Sequence, residues 1–172
     1  MKNLREKIRD IPGFPKEGII FKDITPLLLD PECLRLAVTS IADAFRDTGV
    51  TKVCAVEARG FIFGAAVGCE LGAGFVPIRK PGKLPAKTRC RTYELEYGTD
   101  TIEIHEDAIS KGDKVLMVDD LLATGGTMAA ASKLVEELGG EIAGIAFLVE
   151  LAFLKGSEKL GDYRTVSLIT YD

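Results

Sequence analysis

The chain is short of several things that would point to common chemistries. It has one histidine in 172 residues, and its four cysteines, Cys33, Cys54, Cys69 and Cys90, form no C-x-x-C pair. That excludes a zinc site of the usual Cys/His kind. Basic residues are not in excess: Lys and Arg number 22 against 26 Asp and Glu, a formal charge of −4. A nucleic-acid partner, which demands clustered Lys and Arg, is not expected. No apolar run reaches the roughly eighteen residues that span a membrane. The opening MKNLREKIRDIPGF has no apolar segment of the signal-peptide kind. There is no G-x-x-x-x-G-K-[ST] loop for a nucleoside triphosphate, no internal repeat and no low-complexity tract.

What is present is ordinary for a soluble globular protein: 47% hydrophobic and 28% charged residues. The length suits one compact domain with a real core. Cys54 and Cys69 lie in apolar surroundings and are expected as reduced core thiols, which points to the cytoplasm.

Apolar periodicity alternates between two and 3.6 along most of the chain. Residues 2–9 read as a short amphipathic helix, stopped by Pro12 and Gly13. Pro31 opens a helix to about residue 47, with Leu34, Ala37, Ile41 and Phe45 at helical spacing. Then come a buried strand (52–56), an apolar helix (60–71) and a strand (74–80) in which Pro77 marks an edge or an end. Residues 81–100 form a polar excursion. Strands at 100–104 and 114–118, a helix at 125–138 and strands at 141–150 and 163–170 complete the reading. This βαβ order predicts an α/β fold, a parallel sheet covered on both faces. Ligands of such sheets bind beyond the carboxyl ends of the strands.

The chemistry concentrates in VLMVDDLLATGGTM, residues 115–128. Asp119 and Asp120 follow a strand at such a carboxyl end, where a curling chain lets both face one cavity. Ionised carboxylates only accept hydrogen bonds, so vicinal hydroxyls, as on a ribose, are natural partners. Ala123, Thr124, Gly125, Gly126 and Thr127 supply the complement. The glycines permit close backbone approach, the consecutive N–H groups form an anion nest, and the following helix adds its positive end. Together these suit a 5-phosphoribosyl group. The plainer alternative is a loop whose Asp120 and Thr124 merely cap the next helix.

This run resembles the phosphoribosyl-diphosphate signature of the type I phosphoribosyltransferases, in particular those that use adenine. FPKEGIIFKDITPLL, EARGFIFG, IRKPGKLP, YELEYG, LVEL and LKGSEKL agree in order and spacing, so the likeness covers nearly the whole chain. It implies a central parallel sheet flanked by helices, a small N-terminal hood (1–33), a transferase core (34–172) and a flexible loop around 81–100.

The resemblance also implies roles. Asp119, Asp120 and the 123–127 loop would bind phosphoribosyl diphosphate. The turn at Ala58 and Arg59 would hold the departing diphosphate, often with a cis peptide between these two residues; the alternative is a surface ion pair of Glu57 with Arg59. Arg79, Lys80 and Lys83 would face the diphosphate, some from the partner subunit of a homodimer. Phe21 would stack on adenine, Ile20 and Lys22 would read the base edge through their backbone, and Leu151 would line the same site. The family usually has arginine at position 22, a change that backbone reading tolerates. Glu96 would act as acid/base near adenine N7 and, with Arg59, is the catalytic candidate; Tyr97 would close over the site. Mg²⁺ would be held by diphosphate and ribose oxygens, with no side-chain metal site. A sensor of phosphoribosyl diphosphate, or a transferase for another base, are the rival readings.

Overall fold

The computed structural model describes residues 4–94 and 98–172. A 3-10 turn, Leu4–Lys7, leads into β1 (Arg9–Pro12), which pairs antiparallel with β2 (Ile20–Asp23). The helix expected over 2–9 is therefore replaced by one turn and a strand. The cause is tertiary: Arg9 stands opposite Asp23 and Asp10 opposite Lys22, and both pairs close as ion pairs, at 2.6 and 2.7 Å. Cross-strand charge pairing overrides a weak helical period.

After β2 come the short α1 (Thr25–Leu29) and then α2 (Pro31–Phe45). The Asp30 carboxylate caps α2, accepting from the N–H groups of Glu32 and Cys33, with Pro31 in the first turn. Its inner face is Cys33, Ala37, Val38, Ile41, Ala42 and Phe45, close to the stripe expected from spacing.

The rest follows the expected alternation: β3 (Lys52–Val56), α3 (Gly60–Leu71), β4 (Gly74–Ile78), β5 (Thr88–Glu94), β6 (Thr99–His105), β7 (Lys114–Leu122), α4 (Gly126–Glu137), β8 (Glu141–Leu151) and β9 (Thr165–Tyr171). Five strands form a parallel sheet in the order β4-β3-β7-β8-β9. This places β4 at an edge, where Pro77 is tolerated. One core cluster lies between the sheet and α1, α2 and α3; it contains Leu27, Ile41, Phe45, Phe63, Leu116 and Leu148. The other lies under α4 and the β5–β6 pair, and contains Ile78, Ile102, Ile104, Met117, Leu134 and Phe147.

Two expectations change. The excursion at 81–100 contains an ordered antiparallel strand, β5, whose partner β6 drives Ile102 and Ile104 fully into the core. Reciprocal backbone bonds between Arg79 and Glu103 fasten the hairpin to the end of β4. Cys69 is exposed, not a core thiol, while Cys33 and Cys54 are buried. Helix α3 carries one charged residue, Glu70, and little contrast between its faces, so composition did not show that Phe63, Gly64, Val67 and Gly68 form its inner face and turn Cys69 outward. Among the described residues, no helix is long and apolar enough to cross a membrane.

Candidate active site

Strand β7 does not stop before the acidic doublet; it runs through it to Leu122. Alternation alone would send Asp119 and Asp120 to opposite faces. The alternation breaks here, although the pairing with β8 keeps its register, Asp119 opposite Phe147 and Leu121 opposite Val149. Leu116 and Val118 belong to one core cluster, Val115 and Met117 to the other, but beyond the doublet Leu121 joins the first and Leu122 the second. Neighbouring β8 makes the same exchange, Leu148 and Val149 both lying in the first cluster. At this break both carboxylates line one cavity of about 420 Å³.

The two acids are tightly held. The Asp120 N–H donates to Asp119 Oδ1 at 2.9 Å. A side chain on Gly60, the first residue of α3, would put its Cβ 2.7 Å from that same oxygen. Arg59 Nε lies 2.8 Å from Asp120 Oδ2. That contact is an ion pair whose angles are not those of a hydrogen bond, so this buried oxygen keeps an unused acceptor. Burial, then the charge of Asp120, pushes Asp119 well above the ordinary carboxylate range. Burial also raises Asp120, against the pull of Arg59. The pair is thus arranged to welcome hydroxyl donors and positive charge.

The loop 123–127 forms the next wall. Gly125 takes φ +75° and precedes α4, which has no side-chain cap. Asp120 and Thr124 therefore do not serve as helix caps; Asp120 turns to Arg59. The loop leans on a 3-10 turn, Gly156–Leu160, through backbone contact between Gly125 and Gly156. Ala58, Arg59, Lys80 and all five loop residues line the same cavity as the doublet.

Glu57 and Arg59 do not pair with each other. Glu57 accepts from Arg79 Nε and Nη2 at 3.1 and 2.9 Å and from the Lys80 N–H at 2.7 Å; Lys83 Nζ stands 3.5 Å away. Burial would raise Glu57, but these donors outweigh it and hold it below the usual range. Arg79 and Lys83 are thus engaged by Glu57 at the margin, whereas Lys80 reaches the cavity itself. The cis peptide lies at Glu57–Ala58, one bond earlier than the resemblance implied; a second precedes Pro15.

A second, more apolar cavity, of about 870 Å³, shares Ala123 and Thr124 with the first. Ile20, Lys22 and Leu151 line it, together with Phe153 and Tyr171. The Phe21 ring packs edge-on against Phe14, centroids 5.2 Å apart. Arg59 lies over Phe21 at 5.1 Å, so this arginine touches the acid pair on one side and the aromatic on the other. The Lys22 side chain turns away, to Asp10 and to the Tyr171 ring, 4.0 Å from its centroid. Glu96 and Tyr97 lie outside the described residues.

Sequence reasoning overlooked Tyr93 and Asp100, which both line the first cavity. They are direct partners across β5 and β6, and recognising YELEYGTD as a hairpin would have paired them. It also missed the packing role of Gly156. Among the described residues, no three or more His, Cys, Asp or Glu side chains gather to hold a metal.

A model of the phosphoribosyl transferase domain matches residues 28–170. Adenine phosphoribosyltransferase of Clostridium botulinum (strain Eklund 17B / Type B) is 56% identical over 170 residues, 99% of each chain. The crystal structure of adenine phosphoribosyltransferase from Thermoanaerobacter pseudethanolicus superimposes with a TM-score of 0.95 at 54% identity, covering 98% of both chains. That from Saccharomyces cerevisiae, complexed with an imino-altritol bisphosphate and adenine, gives 0.90 at 40% identity and 96% of both.

Proposed function

The chain belongs to the adenine phosphoribosyltransferases, and from that premise we propose how its two cavities divide their reaction. Adenine and 5-phospho-α-D-ribose 1-diphosphate give AMP and diphosphate, a step of purine salvage. The observation that carries the division is the acid pair: two adjacent carboxylates on one wall, one with a buried acceptor still unused, facing a glycine loop at a helix N-terminus.

In this reading Asp119 and Asp120 accept from the ribose 2- and 3-hydroxyls, and the 123–127 amides and hydroxyls hold the 5-phosphate. Ala58, Arg59 and Lys80 receive the diphosphate, with Arg79 and Lys83 behind them. As the bond from C1 to diphosphate lengthens, the sugar gains positive charge, and the adjacent carboxylates favour it. Adenine sits in the apolar cavity, against Phe21, with Ile20 and Lys22 offering backbone groups to its edge and Leu151 to its face. N9 then attacks C1, aligned because the two cavities share the Ala123–Thr124 wall. Glu96 manages the proton at N7, and Tyr97 helps exclude water. The yeast enzyme's complex with a bisphosphate and adenine supports two adjoining subsites.

Mg²⁺ would supply positive charge at the diphosphate. Diphosphate and ribose oxygens and water would be its main ligands, in the field of Asp119 and Asp120. A homodimer in the cytoplasm completes the reading; free thiols support that compartment. The test is turnover: with phosphoribosyl diphosphate and Mg²⁺, adenine should give AMP, while guanine, hypoxanthine and orotate should give little nucleotide. Binding of phosphoribosyl diphosphate without turnover of adenine would make the chain a sensor instead.

A further inference from the structure

A file of side chains crosses the first cavity, from Thr127 at the end of the glycine loop to Lys80 on the opposite wall, without touching the acid pair. Thr127 Oγ1 donates to the Tyr93 hydroxyl at 3.0 Å. The Tyr93 hydroxyl donates in turn to Asp100 Oδ2 at 3.2 Å. That oxygen also takes the Lys80 ammonium. All four residues line the cavity. The two ends sit on the rigid frame, Thr127 in the first turn of α4 and Lys80 just past β4. The two middle members sit opposite each other on the β5–β6 hairpin.

The chemistry of the ends is that of phosphate ligands, a hydroxyl donor beside a helix N-terminus and an ammonium. Both groups are already engaged by the hairpin, the Thr127 hydroxyl through its one O–H and the Lys80 ammonium through its ion pair with Asp100. Asp100 is held below the ordinary carboxylate range, first by Lys80, so it is a charged competitor for that lysine. We propose that Tyr93 and Asp100 are placeholders: each occupies the donor that one phosphate group of the substrate must claim, Tyr93 for the 5-phosphate at Thr127 and Asp100 for the diphosphate at Lys80. This rests on the division of the cavity given above. A ligand with a phosphate at each end displaces both contacts, while the backbone bonds of Arg79 with Glu103 keep the hairpin on the frame. A ligand with one phosphate displaces one contact and leaves the other. The cavity thereby distinguishes the intact substrate from either fragment without a further contact. An exchange of one pair of bonds for another also keeps the products from being held too tightly, because the hairpin groups stand ready to reclaim each donor.

The probes are inorganic diphosphate and ribose 5-phosphate, each titrated calorimetrically into the whole protein with Mg²⁺ present. Lys80 and Asp100 are both partly exposed, so displacing the pair costs what such pairs are worth, about two- to fivefold in affinity. Asp100→Asn should tighten diphosphate by that factor and leave ribose 5-phosphate unchanged. Tyr93→Phe should tighten ribose 5-phosphate by a similar factor; its hydroxyl also reaches Asp100 and Lys80, so the change at diphosphate should be the smaller of the two. In a Lys80→Met background, Asp100→Asn should lose its effect, because the carboxylate acts only through that lysine. An effect of Asp100→Asn that persists without Lys80 would reduce it to general repulsion and overturn the proposal. So would equal changes for both probes, or weaker binding in either variant. Failure of the division itself shows differently: Lys80→Met alone would then leave diphosphate binding unchanged. Circular dichroism and melting of each variant show that the hairpin still folds.

Discussion

Gly125 and Gly156 meet backbone to backbone. A Cβ on Gly125 would lie 2.2 Å from the Gly156 carbonyl oxygen, and one on Gly156 would lie 2.1 Å from that of Ala123. The loop proposed to hold the 5-phosphate is therefore set from behind, by a 3-10 turn some thirty residues later in the chain. Gly156→Ala keeps every proposed ligand group and removes only this seat. It should raise KM for phosphoribosyl diphosphate at least roughly tenfold, since misplacement of about 1 Å can cost a hundredfold. The affinity for adenine should move much less. The overpacking should also lower stability by about 1–3 kcal/mol, read by thermal melting. Unchanged KM with a lowered Tm would make Gly156 a packing residue alone.

The acid pair is expected to oppose folding while serving catalysis. Asp119 has its folded pKa raised above its ordinary 3.8 by burial and by Asp120. A carboxyl raised in this way contributes stability below its unfolded pKa and loses it as pH rises through the folded one. Asp119→Asn removes that loss, so it should melt a few degrees higher than the unaltered protein at pH 7–8, the shift that about 1 kcal/mol produces at this chain length. The advantage should vanish near pH 4. The same variant, and Asp120→Asn, should lose about tenfold or more in kcat/KM, since a charge-assisted hydrogen bond contributes about 1.5–3 kcal/mol. Melting curves and steady-state rates on the same samples test both halves.

Glu57 carries the opposite sign. Its folded pKa lies below its ordinary 4.5 because Lys80 N–H and Arg79 outweigh burial. It therefore stabilises above the unfolded pKa, and that contribution fades as pH falls through the lowered value. Glu57→Gln should be destabilised at pH 7 by about 1–3 kcal/mol, and the gap to the unaltered protein should close below about pH 4. A gap independent of pH would mean that shape, not charge, holds Arg79.

How much of this could be read from the sequence depends on the range of the interaction that decides it. Helix α2 was legible because its cap, its proline and its apolar stripe are local to Asp30–Phe45. The break after Leu122 was legible as a loop because two adjacent glycines interrupt the strand pattern, and Gly125 takes φ +75° ahead of α4. The break in alternation at the acid pair was not, because β7 and β8 share it without a change of register and it has no residue signature in either. Nor was the β1–β2 pairing, since Arg9, Asp10, Lys22 and Asp23 support it only once the strands are side by side. Cys69 was misjudged for a related reason: in a helix whose one charged residue is Glu70, the neighbours determine which face is covered. Tyr93 and Asp100 were overlooked because their meeting depends on hairpin register.

The last expectation concerns Lys22, where the resemblance implies an arginine. Lys22 is proposed to read adenine through its backbone, which would make its side chain free to vary. The structure gives that side chain other work: its ammonium pairs with Asp10 at 2.7 Å and lies 4.0 Å from the Tyr171 ring centroid, while Arg5 stacks on the same ring at 4.4 Å. Tyr171 thus clamps β2, with Ile20 and Phe21 on it, to the end of β9. A cation over an aromatic face contributes about 0.5–2 kcal/mol, enough to bias the position of a four-residue strand. Arginine can make both contacts, so Lys22→Arg should change KM for adenine less than about twofold. Tyr171→Phe keeps the ring and should behave likewise. Tyr171→Ala and Lys22→Met remove the clamp and should raise KM for adenine roughly three- to tenfold, leaving that for phosphoribosyl diphosphate nearly unchanged, because its proposed ligands lie on other elements. Steady-state kinetics with each substrate varied in turn would decide. Equal rises in both constants, or a Phe variant as poor as the Ala variant, would show that Tyr171 supports the fold at large and does not position the base-reading strand.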